Sequence, residues 1–525
     1  MNLYSVLEKG FPKNKSACAI ETHDGLYYSW KDLERATAKL ANLLKNLKLP
    51  AGSRIAVQVE KSPEALFLYL ATIRAGYVYL PLNTAYQAAE IQYFIENAEP
   101  ALVVCSSKNY SWVSKVASQA GTKHVLTLDD DRTGTLLEQA GKLSDVFKTV
   151  PTKDDDLAAI LYTSGTTGRS KGAMLTHKNL YSNAQVLQKY WGWVKGDVLL
   201  HALPIFHVHG LFVAAHGALI NGSKMIWLPR LDVSQLIHHM PKSTVLMGVP
   251  TFYVRLLADK GFNKKVTRNM RLFISGSAPL LTETFNTFKK VIGQPILERY
   301  GMSETVMLVS NPYKGARVGG SVGLPLPGVK VRVVNESDKP CGVNEIGNIQ
   351  VKGPNIFKGY WRMPEKTKEE FRSDGFFITG DLGKKDECGY FHIVGRGKDL
   401  VITGGRGEDV RIDAVKRVRA RDQATGGPQL QAIEIESAEE RRRADSRAAL
   451  EASGWRRDFD ILRRTRDEVL ARPVDARGGD DVREVAAAID GAQRVLDREV
   501  DVVRSVVGLG LARARWQQFV IGNRL

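Results

Sequence analysis

Eleven residues, Tyr162 to Gly172, read Tyr-Thr-Ser-Gly-Thr-Thr-Gly-Arg-Ser-Lys-Gly and limit what this chain can become more than any other stretch in it. Apolar runs bracket them, Leu157 to Leu161 before and Ala173 to Leu175 after, so the segment reads as a loop between buried strands. Gly165, Gly168 and Gly172 allow positive φ and close backbone approach, Thr163, Ser164, Thr166 and Thr167 supply hydroxyls, and Lys171 supplies a cation. A polyphosphate suits such a loop. The segment is not the Gly-x-x-x-x-Gly-Lys-Ser/Thr loop that runs into a helix, and a Ser/Thr/Gly-rich linker would not be clamped between apolar strands.

Five further segments follow in order: Leu203-Pro-Ile-Phe-His-Val-His209, Ile274-Ser-Gly-Ser-Ala-Pro279, Glu298-Arg-Tyr-Gly-Met-Ser-Glu-Thr305, Thr379-Gly-Asp381 and Gly395-Arg-Gly-Lys-Asp399. Together with the loop they resemble the adenylate-forming superfamily of acyl-CoA synthetases, luciferases and peptide-synthetase adenylation domains. The resemblance covers residues 1–405. It implies an α/β fold with two αβαβα-like lobes and a distorted β-barrel in a large domain, residues 1–396, followed by a hinge at 397–405 that contains Lys398.

The implied chemistry turns a carboxylate, a poor acyl donor, into an acyl-adenylate with AMP as leaving group. It needs a phosphate cradle, a cation, an acyl pocket and a nucleoside grip. By resemblance the cradle is Thr163, Ser164, Gly165, Thr166, Thr167, Gly168 and Lys171, while Glu304 binds Mg²⁺ and Thr305 contacts the α-phosphate. Gly276, Ser277, Ala278 and Pro279 shape the adenine slot, Tyr300 stacks on the base, and Glu298, Gly301 and Met302 belong to the same nucleotide-binding motif. Asp381 grips the ribose, since an ionised carboxylate can accept two hydrogen bonds at once, and Arg396 bridges phosphate and ribose oxygens. His207 lies near the acyl carboxylate. His201 and His209 read as structural histidines.

Arginines inside an acyl pocket are costly unless they meet an anion. Two candidates stand in such segments, Arg255 in Val249-Pro-Thr-Phe-Tyr-Val-Arg and Arg299 in Glu298-Arg-Tyr-Gly. A guanidinium pairs bidentately with a carboxylate, which points to an acid with a second carboxylate. The stretches 246–253, 298–313 and 357–367 resemble malonyl-CoA synthetases. The expected substrates are therefore malonate, with methylmalonate as a second acid, ATP and coenzyme A, and the expected acid site is His207, Arg255, Ser277 and Arg299. Another acyl-CoA ligase, an adenylation domain and a non-catalytic adenylate-binding protein are the alternatives.

The formal charge of +17 raises a nucleic-acid reading, but the basic residues are dispersed and no nucleic-acid motif accompanies them. Positive charge also steers ATP, CoA and a dicarboxylate. Cys18, Cys105, Cys341 and Cys388 lack metal-type spacing and read as reduced, mostly buried thiols. With no apolar stretch near the length of a membrane span and no leader-like amino terminus, a cytoplasmic enzyme is the expectation.

Composition changes at Gly405. Residues 1–405 hold 35 Lys and 15 Arg, whereas residues 406–525 hold one Lys, Lys416, and 23 Arg. A domain of different origin, a frameshift or a gene fusion would each produce this switch. The family's small domain and its Pro-x-x-x-x-Gly-Lys lysine find no match there, so the tail is expected to be mostly helical or poorly ordered and turnover to be impaired.

Overall fold

The computed structural model describes residues 1–163 and 170–397. Ser164, Gly165, Thr166, Thr167, Gly168, Lys398 and the tail, residues 406–525, lie outside the described residues.

Helices form where the sequence supplies both a cap and an apolar face. Ser29 caps Trp30–Asn46 through a reciprocal capping box with Asp32, and Trp30, Leu33, Leu40, Ala41 and Leu44 bury the inward stripe. Helix Pro63–Arg74 begins with proline behind the Ser62 cap, and every one of its residues is buried. Among the described residues no helix is long and apolar enough to cross a membrane.

Two large sheets organise the chain. One runs His124–Thr127, Leu102–Cys105, Arg54–Gln58, Val78–Pro81, Leu157–Thr163 and Lys171–Thr176. Its pairs are parallel except the last, in which Thr163 faces Lys171, so Leu157–Thr163 and Lys171–Thr176 form an antiparallel hairpin at the sheet edge. The other has nine strands in the order Leu324–Pro325, Val306–Ser310, Leu297–Met302, Leu272–Ser275, Val245–Gly248, Val198–His201, Lys224–Trp227, Cys18–Thr22 and Tyr27–Ser29. Its central six are mutually parallel, so their carboxyl ends share one edge, where open α/β sheets bind ligands. A third, antiparallel sheet comprises Lys330–Val334, Gly347–Lys352, Phe377–Lys385 and Phe391–Arg396.

The cysteines depart from expectation. Only Cys105 is buried; Cys18 and Cys341 are partly covered and Cys388 is exposed. Cys105 ends a central strand, whereas Cys388 sits in the turn joining the last two strands of the third sheet.

Candidate active site

The edge hairpin presents Lys171 at the start of its second strand. Its ammonium donates to Glu370 Oε1 at 2.9 Å and lies 4.2 Å from the centre of the Tyr360 ring. Residues 358–361 run alongside that strand, with Lys358 N–H donating to the Met174 carbonyl and Trp361 N–H to that of Gly172, which delivers Tyr360 to the spot. The Tyr360 hydroxyl sits 3.0 Å from Glu304 Oε1 and 2.7 Å from Glu370 Oε2. A phenol has one hydrogen for two carboxylates. Burial raises the pKa of Glu304; burial also acts on Glu370, but Lys171 and Tyr360 outweigh it and hold that carboxyl below its ordinary value.

Thr305, the residue expected at the α-phosphate, sits in a strained turn. Thr305, fully buried, accepts from Met302 N–H at 3.2 Å, and Val306 follows with φ 53°, a conformation that costs a β-branched residue about 1–3 kcal/mol. Gly301 makes the turn possible, because a Cβ there would meet the Val306 carbonyl oxygen at 1.9 Å.

Three residues expected at the nucleoside join two sheets. Asp381 and Arg396 are paired in register on adjacent strands of the third sheet, with Arg396 Nε donating to Asp381 Oδ1 at 3.1 Å. Tyr300, from the nine-stranded sheet, donates its hydroxyl to Asp381 Oδ2.

At the carboxyl edge of the nine-stranded sheet lies a second polar cluster. Ser277, at φ 69°, places its hydroxyl 3.3 Å from His209 Nδ1 and 3.5 Å from an Arg299 terminal nitrogen. Arg299 is 2% exposed, makes no ion pair among the described residues, and keeps an unpartnered Nε; His209 Nε2 is likewise unpartnered. Burial lowers the Arg299 guanidinium to about 9, against the pull of Tyr253 and Glu298. Gly276 leaves the room it needs, since a Cβ there would meet the guanidinium carbon at 2.5 Å. Glu298, on the alternate face of the strand, accepts from Leu280 N–H at 3.1 Å. Ala278 and Pro279 are exposed beside Ser277.

Some expected residues stand apart from these contacts. His207 is exposed, its ring 4.8 Å from that of Phe206, and the histidine that meets Ser277 is His209 instead. Arg255 is half-buried on helix Pro250–Ala258, without a salt bridge among the described residues. His209 opens a π-helical run, His209–Ala215, a geometry that clusters at functional sites. Sequence spacing carries no signal for it, and none for the meeting of Tyr360 and Glu370 with Glu304 and Lys171, which are remote along the chain.

The AMP-binding enzyme model matches residues 8–361. Malonate–CoA ligase of Arabidopsis thaliana is 33% identical over 444 residues, which are 77% of this chain and 72% of that protein. The crystal structure of ATP-bound MatB from Rhodopseudomonas palustris is 55% identical with a TM-score of 0.75, over 77% of this chain and 80% of that one. A malonyl-CoA ligase ternary product complex with methylmalonyl-CoA and AMP is 31% identical with a TM-score of 0.64, over 75% and 82% of the two chains.

Proposed function

This chain belongs to the AMP-binding enzyme family, whose acid–CoA ligases form AMP, and from that premise we propose that it joins malonate to coenzyme A at the expense of ATP, by way of malonyl-adenylate. The observation that carries the acid assignment is Arg299. A buried guanidinium without a carboxylate is stable only if something anionic completes it, and Ser277 and His209 converge on the same space. The distal carboxylate of malonate fits that need; a monocarboxylic acid offers no charge to it.

The proximal carboxylate oxygen attacks the α-phosphorus and pyrophosphate leaves; the CoA thiolate then attacks the acyl carbon and AMP leaves. In this scheme Lys171 exchanges Glu370 for phosphate oxygens, and Asp381, fixed by Tyr300 and Arg396, orients the ribose. Glu304 is a hard oxygen ligand whose buried carboxylate has a phenol partner and, among the described residues, no cation within salt-bridge distance, which fits Mg²⁺ shared with substrate phosphates. Bound there, Mg²⁺ would neutralise charge on the departing pyrophosphate.

Calorimetric titration of the full chain, in the presence of a non-hydrolysable ATP analogue, checks the acid. Malonate is expected to bind and acetate and butyrate not to compete. Arg299→Met should cost malonate binding on the order of 1.5–3 kcal/mol, the value of a charge-assisted bond, and leave the ATP analogue unaffected. Malonate affinity in Arg299→Met equal to the parent's would refute the assignment.

A further inference from the structure

Lys61 follows strand Arg54–Gln58 of the six-stranded sheet, yet its amine belongs to the other one. Nζ lies 2.9 Å from the His201 carbonyl oxygen, 2.6 Å from that of Leu228, and 2.9 Å from His201 Nδ1. His201 ends strand Val198–His201 and Leu228 follows strand Lys224–Trp227, so one side chain gathers the carboxyl ends of two neighbouring parallel strands. The His201 ring stacks on Trp227 with centroids 4.5 Å apart, and Lys61 lies 4.5 Å over the same indole. No carboxylate takes part among the described residues, and burial holds the amine well below its ordinary pKa. The three N–H groups of an ammonium match these three neighbours one for one.

The far side of His201 meets the acid site. Its Nε2 is 2.9 Å from the Gly210 carbonyl oxygen, which can only accept. Nε2 therefore carries the hydrogen, and Nδ1 of the neutral ring is the acceptor Lys61 needs. Gly210 is the second residue of the π-helical run, directly after His209, and is wedged so tightly that a Cβ would meet the Pro204 carbonyl oxygen at 2.0 Å. His209 in turn meets Ser277, and Ser277 meets Arg299.

We propose that Lys61 is a positioning residue for the acid subsite: through His201 it fixes the Gly210 carbonyl, and thereby the His209 imidazole against Ser277 and Arg299. It touches no reacting atom. The role rests on the malonate reading for its ligand but not for its geometry. Among the described residues the printed contacts of Lys61 and His201 involve neither Lys171, Glu304 nor Thr305, so Lys61 should govern acid affinity and leave nucleotide affinity alone.

The test uses the full-length chain with ¹⁵N-labelled histidine. In the parent, His201 should show the neutral Nε2–H tautomer; the opposite tautomer would overturn the relay without any variant. In Lys61→Met, His201 and His209 resonances should both move, malonate Kd should rise about tenfold, the size of one lost buried hydrogen bond, and the ATP-analogue Kd should stay within about twofold. A His209 resonance that does not move, or equal loss of malonate and nucleotide affinity, would reject the proposal. Should the parent bind no malonate, the functional reading fails, and the paired movement of the two histidine resonances still decides the relay. Should Lys61→Met not fold, the parent's His201 tautomer decides it.

Discussion

At the scale of single residues, the site is made of groups held away from their ordinary chemistry. Burial pushes the Glu298 carboxyl up to about 7, against the Leu280 N–H and Arg299, while an unfolded chain would ionise it near 4.5. The native state thus keeps a proton that the unfolded state gives up. Stability from this group is full below the lower value and is lost as pH rises through the upper one. Glu298→Gln is therefore expected to flatten the fall in Tm between pH 5 and 8 and to stabilise the protein at pH 8 by on the order of 3 kcal/mol. Thermal melts across that range check it, and a parallel slope in parent and variant would contradict it. Gly276→Ala carries a separate expectation. The new methyl group would overlap the Arg299 guanidinium, so malonate affinity should fall at least tenfold, by the arithmetic of one lost charged contact, while the nucleotide still binds in calorimetry.

Between elements, function depends on how the segment 358–361 is laid beside strand Lys171–Thr176. Tyr360→Phe keeps the ring under Lys171 but removes the hydroxyl from Glu304 and Glu370. It should cost about 1–3 kcal/mol of stability and weaken Mg·ATP without changing malonate affinity, measured by denaturant titration and calorimetry. Much of this scale was legible beforehand. Apolar period and a cap residue in the sequence itself mark Trp30–Asn46 and Pro63–Arg74 as helices, and the β-rich run Arg54–Gln58 as a strand, because period and caps act locally. The flanks of the phosphate-type loop are strands, as their apolar runs require, but that they pair antiparallel depends on which edge of the sheet they reach. Arg299 was visible from its motif. His209 reads as structural in the sequence, because a histidine two residues from His207 becomes distinct only once the π-helical turn brings it to Ser277. Tyr360, Glu370 and Lys61 were hidden for the same reason: their partners are brought from other sheets or segments.

For the molecule as a whole, the charge of +17 is unevenly built, since residues 406–525 contribute 23 arginines and a single lysine, Lys416. Adenylation in the family uses a lysine delivered from the small domain, and Lys416 lacks its Gly-Lys setting. The full-length chain is therefore expected to bind Mg·ATP and malonate yet to form malonyl-CoA slowly, as read by a coupled pyrophosphate and thioester assay. Rapid thioester formation would assign residues 406–525 a working catalytic part. The two ends of the ligand site also have different owners. Asp381 and Arg396 come from the antiparallel third sheet, whereas Arg299 lies on a strand of the nine-stranded one, Ser277 follows its strand Leu272–Ser275 and His209 opens the π-helical run; Tyr300, beside Arg299, meets Asp381 across the two sheets. On the proposed reading, acid choice and ribose grip are thus separately heritable: drift at His209 and Arg299 can retune which acid is accepted while Asp381 and Arg396 pass unchanged from ancestor to descendant.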